Sequence, residues 1–254
     1  MDQSAIDELA QTFMRARRTG ERLDALPQHL KPKNFADSCA VMDAVDRLVG
    51  ERIVGTKVAA KPGAEVVYAP LLADRVFTSP ARVPRALTPS QYMECEISFR
   101  LTRDLPARQD EYSEHEVFDA LEACTAFELV DSRFRDLKSA MNNTPYEFYA
   151  DHIANGAMVF GAFRKDWQNF DFTKIKVSMK QGARTIIEKA GGHPTGNPAI
   201  PAVVLANLRR STTGLKAGMM IVTGSFTGFH SVALNEPVRG EFEGFGTMEA
   251  TIAG

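Results

Sequence analysis

The sequence lacks the features of secreted and membrane-spanning proteins. Its 254 residues include only three cysteines, Cys39, Cys95 and Cys124, which show neither CxxC nor metal-knuckle spacing. Because three widely spaced cysteines do not suggest a disulfide framework, we predict a reducing, cytoplasmic environment. No apolar run approaches the roughly 18 residues that span a membrane. The N-terminus is acidic and has no apolar signal-peptide core, so we expect neither a signal peptide nor a membrane partner.

An excess of charge of one sign is also missing. Lysine and arginine number 30 against 32 acidic residues, and the basic clusters are short, so we do not expect nucleic acid as a partner. No glycine-rich loop has the strand–GxGxxG–helix context of a dinucleotide site, and no GxSxG motif indicates a serine hydrolase. None of the five histidines lies in a motif with metal-ligand spacing.

The hydrophobic periodicity predicts an α+β protein. Residues 4–18 and 35–48 have helical spacing, and Gly50 ends the second helix. The later segments are mostly short strands, with one helix predicted from a capping box at Ser113 to about Ala123 and another beginning at Asn197-Pro198. We predict a single catalytic domain over residues 1–254, with a helical N-terminal region (1–50) and a β-rich metal-binding core (51–254).

The clearest strand, residues 93–101, carries two acids on one face. Met93, Cys95, Ile97, Phe99 and Leu101 alternate with polar residues, so Glu94 and Glu96 share the opposite face, about 7 Å apart. Two carboxylates side by side repel unless a cation lies between them, and oxygen ligands suit Mg²⁺ or Mn²⁺. A strand with one face in solvent would explain the same pattern.

Glu128 adds a third acid inside the apolar stretch from Ala126 to Val130. A buried carboxylate needs a partner, which is either a metal shared with Glu94 and Glu96 or an arginine such as Arg133. Three acids on two strands would form an open oxygen site with positions left for water and a chelating substrate.

Other polar residues allow two interpretations each. Lys57, in a strand-like segment, either reaches solvent or binds a substrate carboxylate or enolate. Asp74 is a turn residue or a proton-transfer acid. Thr223 and Ser225 either form a turn or bind a carboxylate, and His152 is a structural histidine more readily than a base.

Taken together, these segments resemble the 2-oxopent-4-enoate hydratase and 4-oxalocrotonate decarboxylase family of the fumarylacetoacetate hydrolase superfamily. The resemblance runs through most of the chain, and its order and spacing are more specific than any one piece. The matching pieces are residues 16–20, Val54-Gly55-Thr56-Lys57-Val58, Leu71-Leu72-Ala73-Asp74, Glu94-Cys95-Glu96-Ile97-Ser98-Phe99, Glu128-Leu129-Val130-Asp131-Ser132-Arg133, Ala150-Asp151-His152, 159–161, 205–208, 215–218 and 222–228.

The resemblance implies a mixed, rolled β-sheet core with N-terminal helices. It implies that Glu94, Glu96 and Glu128 bind the metal, that Lys57 and Asp74 are the active-site lysine and acid, and that the protein is a homo-oligomer. The sequence departs from the family after Lys57, in a shortened stretch over residues 62–70, and at His152, where an asparagine is common. These departures border the expected pocket and therefore concern the identity of the substrate.

The predicted function is a metal-dependent hydratase of aromatic meta-cleavage catabolism. It would add water to a 2-hydroxy-2,4-dienoate to give a 4-hydroxy-2-oxo acid, with Lys57 and Asp74 moving protons. Decarboxylation of a 2-oxo-3-enedioate is the alternative, and C–C hydrolysis of an acylpyruvate with His152 as base ranks below it. A non-catalytic protein that binds a small acid or assists assembly is the alternative outside enzymology.

Overall fold

The computed structural model describes residues 1–254 and contains six helices and thirteen strands. The helices are α1 (Gln3–Thr19), α2 (Phe35–Val49), α3 (Glu114–Phe118), α4 (Leu137–Asn143), α5 (Pro145–Ala150) and α6 (Ile200–Arg209). The strands are β1 (Ile53–Ala59), β2 (Val67–Leu72), β3 (Val76–Thr78), β4 (Ala81–Pro84), β5 (Tyr92–Leu101), β6 (Leu121–Val130), β7 (Asn155–Phe160), β8 (Lys176–Gln181), β9 (Arg184–Ala190), β10 (Met220–Ser225), β11 (His230–Ser231), β12 (Val238–Phe242) and β13 (Gly246–Ala253). No helix has the length and apolar character needed to cross a membrane.

The strands form two sheets, and this arrangement confirms the predicted mixed, curled β core. The larger sheet has the order β2-β1-β10-β5-β6-β7-β3, with β11 paired to β5. The smaller sheet has the order β4-β13-β12-β8-β9. The chain passes between the two sheets five times, first between β3 and β4. A cluster of 36 buried residues forms the main apolar core.

The two N-terminal helices begin and end at local signals that the sequence displays. Asp2 and Asn34 accept hydrogen bonds at the N-caps of α1 and α2, while Gly20 and Gly50 adopt left-handed conformations after their last turns. Apolar residues of both helices pack in a second core cluster with residues of α4 and α5. The N-terminal helices therefore support the two short helices that cover one face of the large sheet.

Strand β5 has the alternation that the sequence predicts. Its odd-numbered residues from Met93 to Leu101 are at most 1% exposed. The opposite face is not a solvent face, because Glu96 and Ser98 are buried as well. Along its whole length β5 pairs antiparallel with β6, and this register sets Glu94 directly opposite Glu128.

Two predicted helix boundaries were wrong. The helix after Ser113 keeps its capping box but ends at Phe118, and the chain enters β6 at Leu121 because ten residues there pair with β5. Long-range pairing thus overrides the helix propensity of this segment. The later helix begins at Ile200 rather than at Pro198, since Asn197 forms a turn in which its side chain accepts from the Ala199 backbone.

Candidate metal and substrate site

Three strands bring the predicted acids and lysine to one place on the large sheet. Glu94 and Glu96 lie on β5, Glu128 on β6 and Lys57 on β1. One carboxylate oxygen from each acid lies within 4.8 Å of the other two, which is closer than strand spacing alone predicted. The sheet therefore gathers three carboxylates around a volume that a single cation could fill.

The position of Lys57 depends on a close approach between β1 and β10. These strands pair in parallel, with Gly55 opposite Met220 and Lys57 opposite Val222. A Cβ atom on Gly55 would lie 2.3 Å from the Met220 carbonyl oxygen, so only glycine fits there. The glycine thus lets β1 approach closely enough to point Lys57 towards the acids.

Lys57 is the partner of Glu128 within the protein. Its Nζ atom forms a buried ion pair with the Glu128 carboxylate and donates a hydrogen bond of 3.0 Å to the Ile153 carbonyl oxygen. Arg133, which the sequence offered as an alternative partner, instead forms a buried ion pair with Asp151. Two of the three Nζ donors of Lys57 are therefore used, and one remains for a ligand.

The acids are strained electrostatically when no cation is bound. Burial and the charge of Glu128 raise the pKa of Glu94 to about 8, although Lys57 and the nearby Ser225 hydroxyl act in the opposite direction. Burial, followed by repulsion from both neighbouring acids, raises the pKa of Glu96 well above its usual value. Burial also raises the pKa of Glu128, against the effect of Lys57. One lysine does not compensate three carboxylates.

The residues present fit a divalent cation. Glu96 Oε2 is buried and has no hydrogen-bond partner, which is costly for a carboxylate oxygen unless it binds a cation. Three carboxylate donors are also the hard ligands that Mg²⁺ and Mn²⁺ prefer. With Lys57, the cluster has a formal charge of −2 when all three acids are ionised, which a divalent ion neutralises.

The acids form the floor of an open cavity of about 630 Å³, counting its solvent-filled mouth. Its walls are mostly apolar, and Lys57 is its only basic lining residue. The apolar lining comes mainly from the strands, from α4 and α5, and from the chain before β11. These residues are Val58, Ala59, Val130, Leu137, Met141, Phe148, Ile153, Val222 and Phe229.

Of the predicted substrate-binding pair, the structure places only Ser225 in the cavity. Its Oγ accepts hydrogen bonds from the backbone amides of Thr227 and Gly228. Thr223 is buried, does not line the cavity, and its hydroxyl donates to the Ile97 carbonyl at 3.3 Å. Gly224, between them, lines the cavity with a φ of 122°, a conformation that favours glycine.

The structure does not bring Asp74 into the cavity. It lies in a short 3-10 turn after β2, its side chain is 38% exposed, and it pairs with Arg75 at 3.3 Å. Its role as a proton-transfer acid stays a prediction of the resemblance, without support from this geometry.

His152 has the structural role that the sequence favoured. It is buried between Asp46 and Arg17, whose side chains lie 2.8 and 3.1 Å from its two ring nitrogens. Burial lowers its pKa, and the ring does not line the cavity. Its neighbour Ile153, which sequence reasoning missed, lines the cavity and holds Lys57 through its carbonyl oxygen. The only sequence signal at Ile153 was its position beside the Ala150-Asp151-His152 piece.

Sequence comparison finds 2-keto-4-pentenoate hydratases among the relatives of this chain. No protein-family model matches the sequence. The chain is 26% identical over 211 residues to a 2-keto-4-pentenoate hydratase from Burkholderia vietnamiensis, covering 80% of this chain and 79% of that protein. The chain is a homologue of the 2-keto-4-pentenoate hydratases.

Solved structures place this hydratase homologue in the expected fold. The 4-oxalocrotonate decarboxylase from Pseudomonas putida G7, complexed with magnesium and adipate, superposes with a TM-score of 0.82 at 19% identity over 99% of this chain and 98% of the decarboxylase. The fumarylpyruvate hydrolase from Pseudomonas aeruginosa, in complex with Mn²⁺ and pyruvate, gives a TM-score of 0.55 at 14% identity over 80% of this chain and 90% of the hydrolase. These likenesses confirm the predicted fold, a mixed, rolled β-sheet core with N-terminal helices.

Proposed function

We propose that the chain is a metal-dependent hydratase, a lyase that adds water to a 2-hydroxy-2,4-dienoate and forms a 4-hydroxy-2-oxo acid. The observation that carries the proposal is the cluster of three carboxylates and one lysine on the floor of an apolar cavity. The 2-keto-4-pentenoate hydratase homologues, aligned over about 80% of the chain, support the choice of reaction.

Glu94, Glu96 and Glu128 would hold Mg²⁺ or Mn²⁺. When bound, such an ion accepts the carboxylate and 2-oxygen of the substrate and stabilises negative charge on that oxygen. The donor set supports this assignment, because the acids repel one another and one oxygen of Glu96 is otherwise unsatisfied.

We assign proton transfer to Lys57. Glu128 and the Ile153 carbonyl accept from two of its donors, which leaves the third for a ligand bound beside the acids. In the proposed reaction the 2-hydroxyl loses its proton while C5 gains one, and water then adds oxygen at C4 and hydrogen at C3. The apolar walls would face the hydrocarbon part of the dienoate, and Ser225, which lies beside Glu94 in the cavity, would bind the substrate carboxylate.

The direct test follows the ultraviolet absorbance of 2-hydroxypenta-2,4-dienoate with and without Mg²⁺ or Mn²⁺, while CO₂ release from 4-oxalocrotonate is measured in parallel. Metal-dependent loss of dienoate absorbance with formation of 4-hydroxy-2-oxopentanoate supports the hydratase. Release of CO₂ without hydration would assign the decarboxylase instead. Activity in neither assay, together with no effect of metal on thermal stability, would favour a non-catalytic binding protein.

We also propose a homo-oligomer in a reducing compartment. The three cysteines are free thiols, which agrees with such a compartment, and the resemblance implies self-association. Size-exclusion chromatography with light scattering tests the oligomeric state.

A further inference from the structure

A second, smaller cavity lies outside the cavity of the three glutamates. It is bordered by the end of α1, the turn after β2, the loop between β4 and β5, and the residues after β6. Its volume is about 290 Å³, counting its open mouth, and it shares no lining residue with the other cavity. We call it the arginine cavity, because its charged lining residues are Arg17, Arg22, Arg75, Asp131 and Arg133.

The one acid in this lining already has its full set of partners. Asp131 accepts hydrogen bonds from the two Nη atoms of Arg22, at 3.1 and 2.8 Å, and from the backbone amide and hydroxyl of Ser90. Arg22 and Asp131 therefore neutralise each other. The C-terminal end of α1 adds only a partial negative charge. Three further guanidinium groups in the wall remain without a carboxylate that lines the same cavity.

Two of these three arginines are held by acids outside the lining but keep unused donors. Arg133 donates to the Asp151 carboxylate through Nε and to the Asp151 carbonyl through Nη2, whereas its Nη1 lies 4.0 Å from the Asp131 carboxylate. The buried Nε of Arg75 lies 3.3 Å from the Asp74 carboxylate but forms no hydrogen bond. Each group thus has N–H donors left for a ligand.

Arg17 is the one arginine of the cavity that forms no ion pair with a carboxylate. Its Nη2 lies 3.1 Å from Nδ1 of His152, and it reaches the Asp46 carboxylate only through that ring. Its Nε is buried and has no hydrogen-bond partner. Burial and the charge of Arg133 lower the pKa of Arg17 to about 9, against the attraction of Asp151. Such a group is costly to bury unless a ligand accepts its hydrogen bonds.

We propose that the arginine cavity binds a small inorganic oxyanion, of the size of phosphate or sulfate, between Arg17, Arg75 and Arg133. A guanidinium group is a planar fork of donors that binds two oxygens of one anion, so three such groups satisfy several oxygens at once. The volume is below the roughly 300–1,000 Å³ of sites for larger ligands, which argues against a nucleotide.

The proposed anion would lie beside the turn that holds Lys57. Arg17 contacts His152, and His152, Ile153 and Ala154 all have left-handed backbones, with φ values of 55°, 52° and 54°. This conformation is unfavourable for a β-branched residue such as Ile153, whose carbonyl accepts from Lys57. An anion that fixes the Arg17 guanidinium would therefore stabilise one side of this turn.

The test uses metal-free protein in Tris buffer, with sodium phosphate as the probe and sodium chloride of equal ionic strength as the reference. Isothermal titration calorimetry should give a Kd for phosphate of at most about 1 mM, and about 10 mM phosphate should raise Tm by about 3 °C over chloride. The same Tm in both salts, with no heat of phosphate binding, would overturn the proposal.

Variants locate the binding. Arg17→Gln should weaken phosphate binding at least about tenfold and abolish the rise in Tm, because a direct charged donor is lost. Arg18→Gln is the matched control, since Arg18 is exposed, follows Arg17 on α1 and does not line the arginine cavity. Parent affinity in Arg17→Gln, or an equal loss in both variants, would contradict the site. A fall in Tm of the same size in phosphate and in chloride would leave Arg17 only its contact with His152, and would also contradict it.

A second variant covers the case in which Arg17→Gln does not fold. Arg75→Gln leaves the contact between Arg17 and His152 in place, and it should also bind phosphate at least about tenfold more weakly. Parent affinity in Arg75→Gln would overturn the shared site. These measurements contain neither metal nor 2-oxo acid, so their outcome is independent of the proposed function.

Discussion

The Glu96→Gln variant tests whether the Glu96 carboxylate binds a metal or has only a structural role. The substitution keeps the shape of the side chain and removes a charge that lies within 4.8 Å of two others. At that separation two full charges repel by about 3 kcal/mol with an effective dielectric constant of 20. The variant also loses the attraction between Glu96 and Lys57, which offsets part of the stabilisation gained by removing this repulsion. We therefore expect the metal-free variant to be more stable than the parent protein by roughly 2 kcal/mol at pH 9, a rise in Tm of about 5 °C.

The effect of Glu96→Gln should depend on pH with a defined sign. The pKa of Glu96 is raised by burial, so at low pH its carboxyl is protonated and resembles the glutamine amide in charge. The stabilisation should consequently be small at pH 6 and grow towards pH 9. Mg²⁺ affinity should fall at least about 100-fold, because a direct ligand is lost rather than an outer contact.

Thermal unfolding with and without 10 mM Mg²⁺, at pH 6 and pH 9, measures both effects, and calorimetry gives the metal affinity. Glu188→Gln is the control, since Glu188 lies exposed on a strand of the other sheet. The reasoning is refuted if Glu96→Gln keeps the full Mg²⁺-induced rise in Tm, or if the metal-free variant is less stable than the parent protein at pH 9.

Two further predictions concern the same cluster, and a third concerns His152. First, the pKa of Glu94 is raised to about 8 in the folded, metal-free protein. Its contribution to the free energy of unfolding is therefore fully present below about pH 4.5, where the carboxyl is protonated in both states, and is lost as the pH rises through 8. The Tm of the metal-free protein should therefore fall between pH 6 and 9, while its affinity for Mg²⁺ rises. Calorimetry in buffers of different ionisation enthalpy should show proton release on Mg²⁺ binding, and an affinity that does not change with pH would contradict this prediction. Second, Lys57→Met should lower hydration turnover more than about 100-fold and destabilise the metal-free protein by roughly 3 kcal/mol, because Glu128 loses its buried partner. The Mg²⁺-induced rise in Tm should persist, and unchanged turnover would exclude a catalytic lysine. Third, His152→Asn should lower Tm through the lost contact with Asp46 but leave the pH profile of turnover unchanged, whereas a shifted profile would assign His152 a catalytic role.

Local patterns in the sequence determined the elements that carry the site. The alternation in β5 depends on a period of two, which covalent geometry imposes on any strand, and it correctly set Glu94 and Glu96 on one face. The ends of α1 and α2 were predictable for the same reason, since caps and left-handed glycines act within a few residues. The resemblance added the order of the motifs and, through it, the fold.

Tertiary structure decided which side chains meet. Lys57 and Glu128 are 71 residues apart, so their pairing depends on the register of four strands, which short-range spacing does not encode. The residues expected to end the helix after Ser113 instead begin β6, because the pairing of ten residues with β5 outweighs local helix propensity. Asp74 shows the opposite case: its motif is present, yet a turn places its carboxylate beside Arg75 and outside the cavity. The apolar wall on α4 and α5 had no local sequence signature, since a buried leucine or phenylalanine looks the same whether it packs in a core or faces a ligand.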